Sequence, residues 1–136
     1  MRLASAAPRT YDPGMKRDLE ILRAILLALE TQTDSSGLTA NRIPGFPTDQ
    51  VNYNLTLLIE ERFVRGNITR TSGQAGGGVA YGQRLEWAGH DLLDAIRSPK
   101  VWEETKATID KVGAFSIGLV KELAMAIAAR AVRGQA

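Results

Sequence analysis

Four side chains within a short span, Asn52, Tyr53, Asn54 and Thr56, carry hydrogen-bonding groups of the kind that read base edges. Asparagine bonds bidentately to an adenine edge, and threonine offers a hydroxyl or touches a thymine methyl. They sit in a stretch running from Thr48 to about Arg62. There Val51, Leu55, Leu58 and Ile59 recur at i, i+4, i+7 and i+8, one apolar stripe at the helical period. The four polar residues point away from that stripe. They fit either a base-facing set or an ordinary polar face with Tyr53 packed on the preceding loop.

A second group follows at once. Arg65, Asn67, Thr69, Arg70, Thr71 and Ser72, with Arg84 beyond a glycine-rich loop, offer donors suited to phosphate oxygens. Net charge is only +2, but its distribution is uneven. Residues 1–40 hold five basic and five acidic side chains, and residues 86–136 hold seven of each, so the surplus lies in 41–85. From Arg62 to Arg84 there are four arginines and no acid. A local basic zone of this kind is an electrostatic footprint that nucleic acid selects, although a small one.

Other chemistries find little material. Without cysteine there is no disulfide framework, thiolate metal site or cysteine nucleophile, and a single histidine excludes a multi-histidine centre. His90 with Asp91 and Asp94 lacks an accompanying nucleophile, and the aspartates suit the first half of a helix dipole. Gly76-Gly77-Gly78 leads into Val-Ala-Tyr, a strand, where a P-loop needs Gly-Lys-Ser/Thr opening a helix. We therefore expect no catalytic site, no metal and no cofactor. The longest apolar run is far short of the roughly 20 residues of a membrane span, and the N-terminus lacks a signal-peptide core. The expected compartment is the cytoplasm.

The elements that must position these residues can be read in order. Residues 1–14 form an Ala/Pro/Arg-rich tail without periodicity. Leu19, Leu22, Ile25, Leu26 and Leu29 make the stripe of a first helix, and Ala24, Leu27 and Ala28 widen it. Leu38 to Ile43 fits a short extended piece or a single helical turn, and a short strand joining the hairpin sheet is expected, broken by Pro44-Gly45 and Pro47. The helix from Thr48, its expected N-cap, gives way to strands over 63–68 and 79–85. A helix with Trp87, Leu92, Leu93 and Ile96 on its apolar side comes next. Ser98-Pro99 restarts the chain as N-cap and N1, Gly113 ends that helix, and Ser116 caps the last one. In the last helix Val120, Leu123, Ala124, Ile127 and Ala131 align into a small-residue face. That face suits either a dimer interface or packing against the chain's own first helix.

The order helix, strand, loop, strand, helix predicts a mainly α fold with a small antiparallel β-wing, a winged helix-turn-helix-like domain plus two C-terminal helices. The expected divisions are a tail at 1–14, the winged-helix-like domain at 15–97 and a helical pair at 98–136 that packs on the domain or dimerises.

The segments MKRDLEILRAILLALE, VNYNLTLLIEERFV, RLEWAGHDLLDAIRSPKVWEETK and AFSIGLVKELA resemble a family of small bacterial and prophage-associated proteins catalogued only as a domain of unknown function. The likeness runs from Met15 to about Arg130 and is most specific at LEWAGHDLLDAIR running into Val101-Trp102. More loosely, the chain is similar to winged-helix regulators of the multidrug-resistance and phenolic-acid-response type. Leu85, Glu86 and Gly89 stand where those regulators have "LT", a spacer and Gly, with Glu86 replacing the usual threonine. Two features depart from that pattern: the second helix of the motif is curtailed, and no Arg or Lys lies between Val51 and Glu61.

The expected function is that of a DNA-binding winged helix, a regulator of a phage or mobile-element locus, acting on double-stranded DNA as a homodimer joined through its terminal helices. The alternative is a protein-interaction module on the same frame that binds no DNA.

Overall fold

The computed structural model describes residues 16–32, 36–70, 78–113 and 115–134. Five helices and one hairpin follow in the order α1 (Leu19–Glu30), a 3-10 turn (Ala40–Arg42), α2 (Thr48–Glu60), β1 (Val64–Thr69), β2 (Val79–Leu85), α3 (Trp87–Ile96), α4 (Pro99–Val112) and α5 (Ile117–Val132). The architecture is mainly α with a small antiparallel β-wing. No helix among the described residues is long and apolar enough to cross a membrane.

Helix ends follow their local chemistry. Asp18 caps α1, its carboxylate accepting from the N–H groups of Glu20 and Ile21 at 2.9 and 3.1 Å. Ser98 and Ser116 cap α4 and α5 through Val101 and Leu119, and Gly113 ends α4 at φ +86°. α2 differs from expectation. Its cap is Pro47, which makes no side-chain bond, and Thr48 is already the first helical residue. The expected strand over Leu38–Ile43 shrinks to one rung: Leu38 and Gly82 exchange hydrogen bonds of 2.7 and 2.9 Å. The chain then coils into the 3-10 turn, because Pro44-Gly45 and Pro47 leave no room for a longer ladder.

β1 and β2 pair antiparallel with Val64 opposite Leu85, Asn67 opposite Tyr81 and Thr69 opposite Val79. The register shifts between Arg65 and Gly66, so that Gln83 is an extra residue on β2. With Leu38 bridging the free side of β2, the lateral order is Leu38, β2, β1. β2 runs into α3 across Glu86 alone, whose N–H donates to the Phe63 carbonyl at 2.9 Å. α3 lies so close to this carbonyl that a Cβ on Gly89 would come within 2.1 Å of it.

One apolar core runs through all of these elements. Ile21, Ile25 and Leu26 of α1, Val51, Leu55 and Leu58 of α2, Val64 and Ala80 of the hairpin, and Leu92, Leu93 and Ile96 of α3 are buried in it. The C-terminal helices join the same cluster through Trp102, Ile109, Ile117, Val120 and Ala124. α5 packs principally on α3 and α4. Ion pairs tie α1 to the later helices at both ends, Lys106 to Glu20 at 2.5 Å and Arg97 to Glu30 at 2.6 Å.

Two expectations are corrected here. Trp87 is not on the apolar side of α3: it is 84% exposed, while Trp102 is buried. Starting α3 at position 87 places that ring on the first turn, outside the stripe formed by Leu92, Leu93 and Ile96. The small-residue face of α5 also points into its own chain. Val120, Ala124 and Ile127 are buried there, Leu123 packs against the core, and only Ala131 of the five is exposed. The inward neighbours are α3 and α4 more than the first helix.

Candidate nucleic-acid interface

The polar residues of α2 divide by the face they occupy. Asn54 is fully buried. Its Oδ1 accepts the Asp18 N–H at 3.0 Å, and its amide donates to the carbonyls of Lys16 and Gln50 at 3.1 and 2.9 Å. It therefore holds the N-cap of α1 in place and cannot face a base. Asn52 is half-buried and ties α2 to the start of β2. Its amide donates to the Gly78 carbonyl at 3.0 Å, and its Oδ1 accepts the Ala80 N–H at 2.9 Å. Thr56 donates to the Asn52 carbonyl at 2.8 Å, an i−4 bond within the helix. Of the expected base-facing set, Tyr53 alone has a side chain that makes no hydrogen bond among the described residues, and it is half-buried. The outer face of α2 also carries exposed Asp49 and Glu60. A base-reading set on this helix is corrected accordingly: both asparagines serve as backbone clamps, and Asn54, three residues after Val51 and four before Leu58, falls on the buried side of α2 at the helical period.

The hairpin is the more open element. Arg65, Asn67 and Thr69 alternate outward along β1, and their partners Arg84, Tyr81 and Val79 share that face. Arg65 and Arg84 stand opposite one another, an arrangement of like charges that costs stability unless it is compensated. Glu86 supplies the compensation: the Arg65 Nε donates to its Oε2 at 3.2 Å. That acid lies one position beyond the last residue of β2, and the sequence pattern offered no sign of the pairing. Arg70 and Arg84 are exposed and make no ion pair among the described residues. Thr71 lies outside the described residues. Arg62 takes a left-handed backbone at φ +66°, turning the chain from α2 into the hairpin.

Where α2 begins, the 3-10 turn, the first turn of the helix and the start of β2 enclose an open cleft of about 720 Å³. Thr39, Asn41, Thr48, Asp49 and Asn52 border it, with half-exposed Val79 on the hairpin side. Thr39 and Asn41 had not stood out in the sequence, since neither belongs to a periodic segment. The cleft opens beside the end of the hairpin that carries Thr69 and Arg70, and Arg42 is exposed on the adjoining turn. Asn41 and Thr48 thus offer neutral polar groups in the cleft beside the Asp49 carboxylate, the Thr39 hydroxyl donates to the Asn41 side-chain oxygen, and Arg42 and Arg70 stand on the flanks. Among the described residues no group of His, Asp and Glu could hold a metal ion.

This is a mainly helical fold with one antiparallel hairpin packed on α2, and an open cleft lies where the hairpin meets the start of that helix. Residues 16–116 match the model of a family described as "Hypothetical protein (DUF2513)", and the chain belongs to that family. An "Uncharacterized protein" of Haemophilus influenzae (strain ATCC 51907 / DSM 11121 / KW20 / Rd) is 35% identical over 115 residues, covering 83% of this chain and 95% of the relative. No solved structure matches.

Proposed function

We propose that this chain is a double-stranded-DNA-binding protein of winged-helix type that holds its target chiefly through backbone phosphates. The observation that carries this reading is the lateral order Leu38, β2, β1 beside α2, with an open cleft and the exposed Arg42 and Arg70 at the same edge. In a winged helix this edge meets the duplex, one helix entering a groove while the hairpin lies on flanking phosphates. Arg42 and Arg70 flank the cleft as phosphate partners, Arg84 and Asn67 extend the contact along the hairpin, and Asn41 and Thr48 supply neutral donors. With Asn52 and Asn54 bonded to the backbone and Asp49 and Glu60 outward, α2 contributes shape more than base readout. The resemblance to prophage-associated proteins suits a regulator of a mobile-element locus.

The test is duplex binding followed by fluorescence anisotropy across a salt series. With three to four phosphate contacts per chain, affinity falls roughly 10²-fold between about 50 and 200 mM salt. Arg70→Ala lowers the logarithmic slope by about 1 and weakens binding evenly across sequences. Absence of binding at the lowest salt overturns the reading.

One observation favours a second reading, a protein-interaction module on the same frame. Trp87 is 84% exposed at the far end of the hairpin from the cleft, and exposed tryptophans anchor protein interfaces. Under that reading DNA binding is absent at low salt, and Trp87→Ala abolishes a stoichiometric complex with a defined protein partner.

A further inference from the structure

α5 buries one side only. With Val120, Ala124 and Ile127 turned inward, the opposite side is open to solvent along the whole helix. Glu122, Ala126, Ala129 and Arg133 fall on it at i, i+4, i+7 and i+11, one continuous seam. Large apolar groups flank the seam: Leu119 is 43% exposed, Met125 38% and Val132 86%. An acid stands at its N-terminal end, a base at its C-terminal end and two methyl side chains between them. Such an order is its own complement when reversed.

We propose that α5 is an interface between two copies of this chain, the two helices running antiparallel about a two-fold axis between Ala126 and Ala129. In that arrangement Glu122 of each copy faces Arg133 of the other. The alanines meet at the axis and let the backbones approach closely, while Met125 and Val132 close over the sides. A two-fold contact needs one self-complementary patch, which the seam provides. Antiparallel pairing also sets each helix dipole against its opposite. A parallel pair would place acid against acid and base against base. The charges are available for the purpose. Glu122 is 75% exposed and its ion pair with neighbouring Lys121, at 3.3 Å, leaves a carboxylate oxygen open, while Arg133 makes no ion pair among the described residues. Arg130, by contrast, is held by Glu104 within the chain. A single helix pair is a small interface, so the association is concentration-dependent. The proposal does not rest on the nucleic-acid reading, and neither stands or falls with the other.

Sedimentation velocity on the full chain tests it, with dissociation expected on the order of 10–100 µM. E122R and R133E, each alone, weaken the dimer by about tenfold or more. The double variant E122R/R133E recovers it to within a few fold, because the reversed charges face each other again. These side chains are exposed, and circular dichroism confirms that each variant is folded. A wild-type chain that stays monomeric throughout the range overturns the proposal. So do single variants that dimerise normally, and a double variant that fails to recover.

Discussion

The side-chain oxygen of Asn54 accepts the backbone N–H of Asp18 at 3.0 Å, joining the middle of α2 to the residue that caps α1. Asp18 in turn accepts from two N–H groups of α1. A helix start is thus held by a buried amide 36 residues away in sequence. Replacing Asn54 by Ala removes all three of its bonds and leaves a main-chain N–H without its partner. We expect a loss of about 2–3 kcal/mol in urea denaturation, with no change in the preference for one DNA sequence over another. A shift in sequence preference at unchanged stability would return Asn54 to a base-reading role.

Glu86 restrains the basic hairpin by holding Arg65. Glu86→Gln keeps the size of the side chain and removes the charge. DNA affinity at low salt should then rise several fold and the salt slope steepen by about 1, as one more arginine becomes free to displace a counterion. An anisotropy titration of the variant beside the wild type decides this. Stability changes little, since exposed pairs of this kind contribute about 0–1 kcal/mol.

The expected helices are all present, and the reason is physical. Period, cap and stop signals are local, and Ser98-Pro99, Gly113 and Ser116 act within one turn of where they stand. The candidate site was less legible. Whether an asparagine faces water or a neighbouring backbone depends on what packs beside it, and for Asn52 and Asn54 those neighbours lie 26 to 38 residues away. Trp87 shows the same limit from the other side. Apolar character predicts burial on average, but at the helical period Trp87 falls across α3 from Leu92, Leu93 and Ile96, on the solvent side. The α5 face was open to two readings, a dimer interface or packing on the first helix, and Val120 and Ala124 turn inward chiefly onto α3 and α4 instead, because a small-residue face suits any close neighbour.

Gly89 has no room for a side chain. Gly89→Ala would drive a methyl into the Phe63 carbonyl, which already accepts the Glu86 N–H. We expect destabilisation of about 3 kcal/mol or more, or loss of soluble protein, measured by thermal unfolding. Gly45→Ala tests a different effect: its left-handed backbone is strained by a side chain, although nothing stands within 4 Å of the added carbon. About 1 kcal/mol is expected there.

The two tryptophans should part company. Trp87→Ala leaves the unfolding midpoint nearly unchanged, whereas Trp102→Ala costs about 3–5 kcal/mol. Iodide should quench the fluorescence of Trp87 and spare that of the buried Trp102, whose ring centre has the Arg23 guanidinium at 5.7 Å and the Lys106 ammonium at 5.3 Å.

Acid sensitivity should trace in part to Glu30. Hydrogen bonding from Arg97 holds this carboxyl below its ordinary value of 4.5, and burial opposes the shift only in part. A group with a lowered folded-state pKa stabilises the protein above its unfolded value, and that contribution fades as pH falls through the folded one. The melting temperature of the wild type should therefore drop more steeply below about pH 4.5 than that of Glu30→Gln, and the two curves should run parallel from neutral pH down to that point. Parallel curves throughout would show that the pair contributes nothing.

Leu85 ends β2, Trp87 begins α3, and the one residue between them is pinned by its own N–H. A junction this short allows no swivel. If two copies clasp through their last helices, the span and mutual tilt of the paired hairpins are set like the jaws of a fixed caliper, and only targets of matching gauge will fit.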